Sequence, residues 1–195
     1  MRIFLTGVSC VGKTTIGKKL ATLLCCSFFD LDAEIESFFS MPVERLQDKF
    51  LTMYSFRKET SKALKQLLNQ EDSQDSVIVL PPSGLVDNYW RVVKQSKGTI
   101  VVLTDDAANI LQRITFYDRD SKPIEKLLTE KEKVLYLKEI KKDMTYFNRT
   151  YKRADILVPI SGLTPDQAAT KVKEILDTCP ASPQTSPGSP GSMIE

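Results

Sequence analysis

The chain has 195 residues, which is long enough for one domain with a core of its own. It contains 27 lysine and arginine residues against 25 aspartate and glutamate residues, a net charge of +2. This balance argues against a nucleic-acid-binding surface, and the absence of histidine excludes His-based catalysis and His-containing zinc sites. The N-terminal apolar run is too short for a signal peptide or a membrane span. We therefore expect a cytoplasmic protein with free thiols and no membrane partner.

Short apolar runs alternate with longer segments of helical period, which is typical of an α/β fold with a parallel sheet. The predicted strands span residues 3–6, 27–30, 77–80, 99–103 and 156–159. The predicted helices span about residues 13–25, 51–69, 86–95, 104–115, 129–153 and 164–177. Together these elements predict one three-layer α/β/α domain over residues 1–178.

A phosphate-binding loop is predicted where the first strand meets the first helix. The segment from Gly7 to Thr14 reads GVSCVGKT and fits the pattern GxxxxGK[ST] in full. We expect its amides to face the β-phosphate of ATP, Lys13 to reach the β- and γ-oxygens, and the Thr14 hydroxyl to ligate Mg²⁺. The predicted nucleotide-binding residues of this segment are Gly7, Ser9, Cys10, Val11, Gly12, Lys13, Thr14 and Thr15.

Two carboxylates, Asp30 and Asp32, come at the end of the second strand and are expected to lie near the phosphate loop. One of these carboxylates can bind Mg²⁺, and the other can bind an acceptor hydroxyl. The alternative is helix capping by one of them, with Glu34 and Glu36 in the first turn of the helix. Capping can coexist with a catalytic role.

Three segments, in this order and spacing, resemble the shikimate kinase family. They are Gly7 to Thr15, Phe29-Asp30-Leu31-Asp32 with Ile35-Glu36, and Ser55-Phe56-Arg57-Lys58-Glu59. The resemblance covers residues 1 to about 177. It implies a P-loop NTPase fold with a five-stranded parallel sheet, like that of nucleoside monophosphate kinases. It also implies ATP- and Mg²⁺-dependent phosphorylation of a small polyhydroxy acid.

The resemblance also implies roles for single residues. Asp30 would lie at the Mg²⁺ ion, Asp32 would hold and deprotonate the acceptor hydroxyl, and Arg57 would bind the acceptor's carboxylate. The chemistry agrees, because a carboxylate can accept the hydroxyl proton and a guanidinium fork suits a planar carboxylate. The alternative for Arg57 is a surface helix residue that pairs with Glu59 or other nearby acids.

On the adenine side and in a lid at about residues 116–126, the match to the family is partial. Arg113 and Pro165 are implied to flank the adenine. Before the lid proline the family usually has an arginine that meets the transferring phosphoryl group, whereas this chain has Lys122, with Arg119 three residues earlier. Lysine supplies the charge without the planar fork. The alternative is an exposed charged loop.

After the third strand the family carries a run of glycines, and this chain has Pro81-Pro82-Ser83-Gly84 instead. Proline has no N–H donor, so only Ser83 and Gly84 can offer amides to the acceptor. An acceptor-binding arginine of the family is replaced by Phe147, for which Arg149 or Arg153 could substitute. Phe147 belongs to an apolar helix face that is predicted to be buried: Val134, Leu137, Ile140, Met144, Phe147 and Tyr151.

The last segment, residues 179–195, has a composition of its own. From Pro180 to Glu195 there are four prolines, two glycines and four serines, without apolar periodicity. Such a segment cannot offset its ordering entropy by burial, so we predict a disordered tail. Two loose PxxP patterns leave a docking peptide as the alternative.

The leading hypothesis is a kinase that converts shikimate to shikimate 3-phosphate in aromatic amino acid biosynthesis, with Lys13 and Mg²⁺ stabilising charge and Asp32 as the base. The alternatives are a related kinase with a different acceptor and a nucleotide-binding regulatory module without kinase activity. Nucleic-acid binding is disfavoured, because acidic residues are interspersed with the lysines and arginines from Arg113 to Arg153. The expected partner is a small-molecule substrate, and the expected state is a monomer.

Overall fold

The structure is a computed structural model that describes residues 1–178, so the predicted tail lies outside the described residues. The strands are β1 (Arg2–Thr6), β2 (Ser27–Asp30), β3 (Ser76–Val79), β4 (Thr99–Thr104), β5 (Phe116–Tyr117), β6 (Pro123–Ile124) and β7 (Ile156–Pro159). The helices are α1 (Lys13–Leu24), α2 (Leu31–Phe39), α3 (Val43–Gln47), α4 (Met53–Leu68), α5 (Asp87–Val93), α6 (Ala107–Gln112), α7 (Glu130–Tyr151) and α8 (Pro165–Thr178), with a short 3₁₀ helix at Glu71–Gln74.

Five parallel strands form the central sheet in the order β2-β3-β1-β4-β7. Leu5 in the middle strand pairs with Val79 on one side and Val101 on the other. Parallel strands end at one edge, so the segments that follow β1, β2, β3 and β4 meet there. We call this side of the molecule the carboxyl edge. In sheets of this kind ligands bind where the strand order reverses, which here is beside β1.

The central strands have apolar middles because helices cover both faces of the sheet. Ile3, Phe4 and Leu5 of β1 are fully buried, and β3 and β4 are nearly as apolar. Helices α1 and α8 pack against each other, and α4 packs against α2 and α5. The predicted three-layer α/β/α fold with a five-stranded parallel sheet is thereby confirmed.

The five predicted strands are present with ends that differ by at most one residue. Helices α5 and α6 are shorter than predicted. Helix α2 was predicted only as the helix that Asp30 or Asp32 would cap, because its acidic residues leave only Leu31 and Ile35 as buried positions. Helix α3 and the β5–β6 hairpin were not predicted. Within residues 1–178 no helix is both long and apolar enough to cross a bilayer.

The prediction that α7 buries one apolar face is correct only for its second half. Ile140, Met144 and Phe147 pack against the core and Tyr151 is buried, but Val134 is 70% exposed. The first half of α7 is solvated and carries a Lys133–Glu130 ion pair at 2.7 Å. In this half of α7, charged and polar side chains are frequent enough to keep the helix in water, and the apolar spacing does not produce a buried face.

A buried hydrogen bond joins α4 to α5, and its removal tests how these two helices pack. The hydroxyls of Thr60 and Tyr89 lie 2.6 Å apart in the core. We expect Tyr89→Phe to lower the free energy of unfolding by about 1 kcal/mol, the net value of a typical buried hydrogen bond. The matched control is Tyr54→Phe, because Tyr54 is 50% exposed. Urea unfolding measures both changes, and equal effects of the two substitutions would contradict this packing.

Candidate active site

The phosphate loop leaves β1 through a glycine that has no room for a side chain. A Cβ on Gly7 would lie 2.6 Å from the Leu103 carbonyl oxygen. Gly12, the residue before α1, has a φ of +105°, which disfavours any other residue. No side chain caps the first turn of α1, so its amides and the positive end of the helix are available to an anion. The predicted phosphate-loop conformation is therefore built into the backbone.

The Lys13 ammonium lies over this loop. It donates hydrogen bonds to the carbonyl oxygens of Gly7 at 3.1 Å and Val8 at 2.9 Å. Burial lowers the pKa of Lys13 to about 8, against the opposing charge of Asp32 and smaller contributions from Cys10 and Asp30. Lys13 is thus charged at neutral pH and already placed beside the loop amides. The other predicted loop residues differ in exposure: Ser9, Thr14 and Thr15 are exposed, Cys10 is half-buried and Val11 is buried.

One carboxylate connects the phosphate loop to the second strand. The Thr14 hydroxyl donates to Asp30 Oδ2 at 2.7 Å, and the Asp32 amide donates to Asp30 Oδ1 at 3.2 Å. Asp30 therefore caps α2 and at the same time contacts the other predicted metal ligand. A hydroxyl and a carboxylate are oxygen donors of the kind that Mg²⁺ prefers. Within residues 1–178 no group of three or more His, Cys, Asp or Glu side chains is arranged to hold a metal ion.

Asp32 lies in the first turn of α2, and the residue is exposed. Desolvation by the surrounding protein and the nearby charge of Asp30 raise the pKa of Asp32 to about 6. The Lys13 ammonium opposes that rise, and Glu44 and Glu36 add to it. A carboxylate with a pKa near neutrality is suited to general-base catalysis, because it is ionised at pH 7 and still accepts a proton.

Arg57 is buried, with 9% of its surface exposed, and it is held by a partner that the sequence analysis did not name. Its Nε and Nη2 atoms donate to Asp87 Oδ2 at 3.1 and 2.7 Å. Glu59, the partner considered for it, pairs with Lys62 instead. Burial of Tyr89 raises the pKa of its phenol, which Asp32 raises further and Arg57 lowers. The pKa of the Tyr89 phenol therefore depends on the charges of both Asp32 and Arg57.

The turn that replaces the family glycines is internally bonded. The Pro81 carbonyl accepts from the Gly84 amide at 2.8 Å and from the Thr6 hydroxyl at 3.0 Å, and the Tyr151 hydroxyl donates to the Pro82 carbonyl at 3.2 Å. A Cβ on Gly84 would lie 2.5 Å from Leu80 Cβ. A side chain at position 84 would therefore collide with Leu80, and the Gly84 amide is already hydrogen-bonded within the turn.

Phe147 occupies the position of a family arginine, and neither Arg149 nor Arg153 is seen to replace that arginine. The Phe147 ring stacks on Tyr151 with centroids 5.7 Å apart. Arg153 donates to the Leu85 carbonyl at 2.5 Å, and its guanidinium lies 5.0 Å from the Trp90 ring centroid. Arg153 is therefore engaged by Leu85 and by Trp90 of α5, and its role as a substitute acceptor ligand stays a prediction. Arg149 is exposed on the surface of α7.

The predicted lid contains the β5–β6 hairpin, and its tip rests on α3 and the residues around it. Arg45 pairs with Asp120 at 2.5 Å, Arg119 lies 3.9 Å from Asp48, and the Ser121 hydroxyl contacts carboxylates of α2 and α3. Lys122 is exposed and, in the part of the chain that the structure describes, forms no ion pair. The structure brings neither Arg119 nor Lys122 into contact with the phosphate loop.

The two residues implied for adenine binding lie at the carboxyl edge. Arg113 pairs with Asp105, the residue directly after β4. Burial alone would raise the pKa of Asp105, but hydrogen bonds from Asn109, Arg113 and the Asp106 amide lower it. Asn109 also contacts Ser161 at 3.1 Å, which ties α6 to the loop before α8. Pro165, exposed, is the first residue of α8, as predicted.

A parallel sheet with a phosphate loop at its switch point, a threonine–aspartate pair and a second carboxylate define a P-loop enzyme of the small-molecule kinase class. The comparisons with known proteins agree. A family model described as shikimate kinase matches residues 9–177. The chain belongs to the shikimate kinase family, whose members are kinases that phosphorylate a hydroxyl group.

Individual relatives cover nearly the whole domain. Shikimate kinase of Aquifex aeolicus is 32% identical over 177 residues, 90% of this chain and 94% of that protein. Its counterpart from Thermoanaerobacter pseudethanolicus is 28% identical over 170 residues, 87% and 92% of the two chains. The crystal structure of shikimate kinase from Aquifex aeolicus has a TM-score of 0.68 at 26% identity and covers 91% of this chain and 96% of its own. A shikimate kinase from Acinetobacter baumannii in complex with shikimate shares the fold, with a TM-score of 0.69 at 23% identity and coverages of 91% and 93%.

The Thr14–Asp30 contact gives a prediction about magnesium. We expect Mg²⁺ to strengthen ATP binding to the native protein, and Thr14→Ala to reduce that gain about tenfold because one oxygen ligand is lost. Calorimetric titration of ATP with Mg²⁺ and with EDTA measures the gain. Thr22→Ala is the matched control, since Thr22 lies on the exposed side of α1 and its hydroxyl, within the described residues, bonds only to the Lys18 carbonyl. An unchanged magnesium effect in Thr14→Ala would contradict the assignment of Thr14.

Proposed function

We propose that the protein transfers the γ-phosphoryl group of ATP, with Mg²⁺, to a hydroxyl of a small polyhydroxy acid, with shikimate as the leading candidate. The observation that carries the proposal is the chain of contacts from Thr14 to Asp30 to the Asp32 amide at the end of β2. It joins a phosphate loop, a pair of metal-binding oxygens and a candidate base on rigid elements. Membership in the shikimate kinase family supports the choice of acceptor.

The nucleotide would be held from two sides. The loop amides and Lys13 would bind the β- and γ-phosphates, and Thr14 and Asp30 would hold the metal ion. Mg²⁺ neutralises charge on the phosphate oxygens when it is bound with the nucleotide. Arg113 and Pro165 would bind the adenine from the α6 and α8 sides.

The transfer step would use Asp32 as its base. The acceptor hydroxyl loses its proton to the Asp32 carboxylate while its oxygen forms a bond to the γ-phosphorus. The bond from that phosphorus to the β–γ bridging oxygen breaks, and the electron pair leaves with ADP. Lys13 stabilises the charge on the transferring group.

The acceptor would be placed by Arg57 and by the amide of Ser83, the member of the predicted pair whose amide has no backbone partner within residues 1–178. Gly84 would shape the same turn through its lack of a side chain. Lys122, with Arg119, would bring positive charge to the γ-phosphate when the lid moves onto the nucleotide, and closure would exclude water.

The proposed setting is the cytoplasm, where ATP is present and thiols stay reduced; Cys10, Cys25 and Cys26 are free cysteines. We also propose that the protein acts as a monomer. Light scattering of the purified protein tests this state directly.

ADP release from Mg-ATP tests the function, measured with and without millimolar shikimate. We expect release to depend on shikimate and to be absent from Lys13→Ala, which serves as the blank. Shikimate-dependent release that survives in Lys13→Ala would contradict the phosphate-loop assignment. ATP binding without stimulation by shikimate would favour another hydroxy acid, or a nucleotide-binding role without transfer.

The role of Asp32 predicts a pH profile. Protonated Asp32 cannot accept the hydroxyl proton, so kcat/KM for the acceptor should rise with pH through about 6, the raised pKa of this carboxyl. Asp32→Asn should abolish transfer and leave ATP binding intact. Asp75→Asn is the matched control, because Asp75 pairs with the N-terminal amine before β3, at the opposite edge of the sheet. Full turnover by Asp32→Asn, or an acid limb that persists in it, would exclude Asp32 as the base.

A further inference from the structure

The guanidinium of Arg57, the only acceptor-binding arginine that the family resemblance leaves, already has a carboxylate on it. Asp87 Oδ2 accepts from both Nε and Nη2, so one edge of the guanidinium is occupied by the protein itself. This pair is partly shielded from water, because the side chains of Arg57 and Asp87 are 10% and 33% exposed. An acceptor's carboxylate that binds Arg57 must displace Asp87 or share the arginine with it.

Other charges near the predicted acceptor site are mostly negative. Asp30 Oδ1 accepts from the Asp32 amide at 3.2 Å, and Glu36 lies one turn further along α2, so two further acids lie close to the candidate base. The positive groups assigned to the reaction in this part of the site are Lys13, which the nucleotide would use, and Arg57. An acceptor with a carboxylate therefore brings a further negative charge to a site that already holds several acids, and Asp87 is the acid in direct contact with Arg57.

The donors that could compensate for this repulsion are few. Pro81 and Pro82 have no N–H and the Gly84 amide is bonded to the Pro81 carbonyl, so the Ser83 amide is the donor that this turn still offers. Phe147, at the position of the second family arginine, is apolar and stacked on Tyr151. Binding of a carboxylate would therefore depend strongly on how firmly Asp87 holds Arg57.

The backbone around Asp87 supports a specific role for this residue. Asp87 has a φ of +46°, a left-handed conformation that Asp and Asn adopt more readily than other residues with a side chain. The adjacent Asn88 has a buried Nδ2 that lacks a hydrogen-bond partner in the described residues 1–178. An unpartnered buried polar atom is unfavourable, and such atoms concentrate at functional sites.

We propose that Asp87 is a specificity-determining residue of the acceptor site, where it competes with the acceptor's own carboxylate for Arg57. This inference rests on the proposed function, and it concerns the charge of the acceptor rather than the transfer step. Asp87 lowers the preference of the site for a polyhydroxy acid over an uncharged polyol of the same shape. The site therefore also accepts molecules that place an uncharged group next to Arg57 instead of a carboxylate.

Shikimate and its methyl ester are the matched probes, because the ester keeps the ring hydroxyls and lacks the negative charge. We expect Asp87→Asn to increase the preference for the acid over the ester about tenfold, both in kcat/KM and in the ratio of dissociation constants measured by calorimetry with Mg-ADP. Asparagine also tolerates a positive φ and can still accept a hydrogen bond from Arg57, so the fold is kept, and thermal unfolding checks this. Asp75→Asn again serves as the control and should leave the preference unchanged.

The same comparison in a protein that also carries Arg57→Gln distinguishes a change of specificity from a general loss of binding. If Asp87 acts through Arg57, Asp87→Asn should leave the acid-to-ester preference unchanged when Arg57→Gln is also present. A merely structural role of Asp87 would change binding of both probes alike, and such a result would overturn the proposal.

The outcomes distinguish this inference from the proposed function. Turnover with an unchanged acid-to-ester preference in Asp87→Asn would overturn the role of Asp87 and leave the function standing. No turnover, but a binding preference that rises in Asp87→Asn, would overturn the function and support the role of Asp87. No binding of either probe to either protein would overturn both.

Discussion

The Asp30 carboxylate is the contact on which the site depends, because its two oxygens serve two different elements. One oxygen accepts the Thr14 hydroxyl from the start of α1, and the other accepts the Asp32 amide at the start of α2. The parallel pairing of β2, β3 and β1 fixes the distance between these two helix starts. A phosphate loop, a magnesium-type donor pair and a candidate base are therefore positioned by the sheet and by one capping carboxylate.

The same arrangement explains the opposite pKa shifts of Lys13 and Asp32. Burial disfavours the charged form of each group, so it lowers the pKa of the ammonium to about 8 and raises that of the carboxyl to about 6. Their mutual attraction limits both shifts. At neutral pH both groups are charged, as phosphate binding by Lys13 and proton abstraction by Asp32 require.

Local sequence patterns predicted the elements and residues whose roles are set by their neighbours in the chain. The phosphate loop and the five strands are of this kind, and so is the helix cap that the sequence left open between Asp30 and Asp32. The pairing of Arg57 with Asp87 joins residues 30 positions apart, and the contact of Ser121 with Glu36 joins residues 85 positions apart. No periodicity encodes such contacts, because they arise when α5 packs against α4 and when the lid hairpin meets α2.

The central claim is that this site transfers a phosphoryl group to an acceptor hydroxyl rather than only binding ATP. Mass spectrometry of shikimate after incubation with Mg-ATP and the purified protein tests it most directly. The account predicts shikimate that carries one phosphoryl group, formed by the native protein and not by Asp32→Asn. Unmodified shikimate, in a sample in which ATP binding is confirmed, would contradict the account for this acceptor.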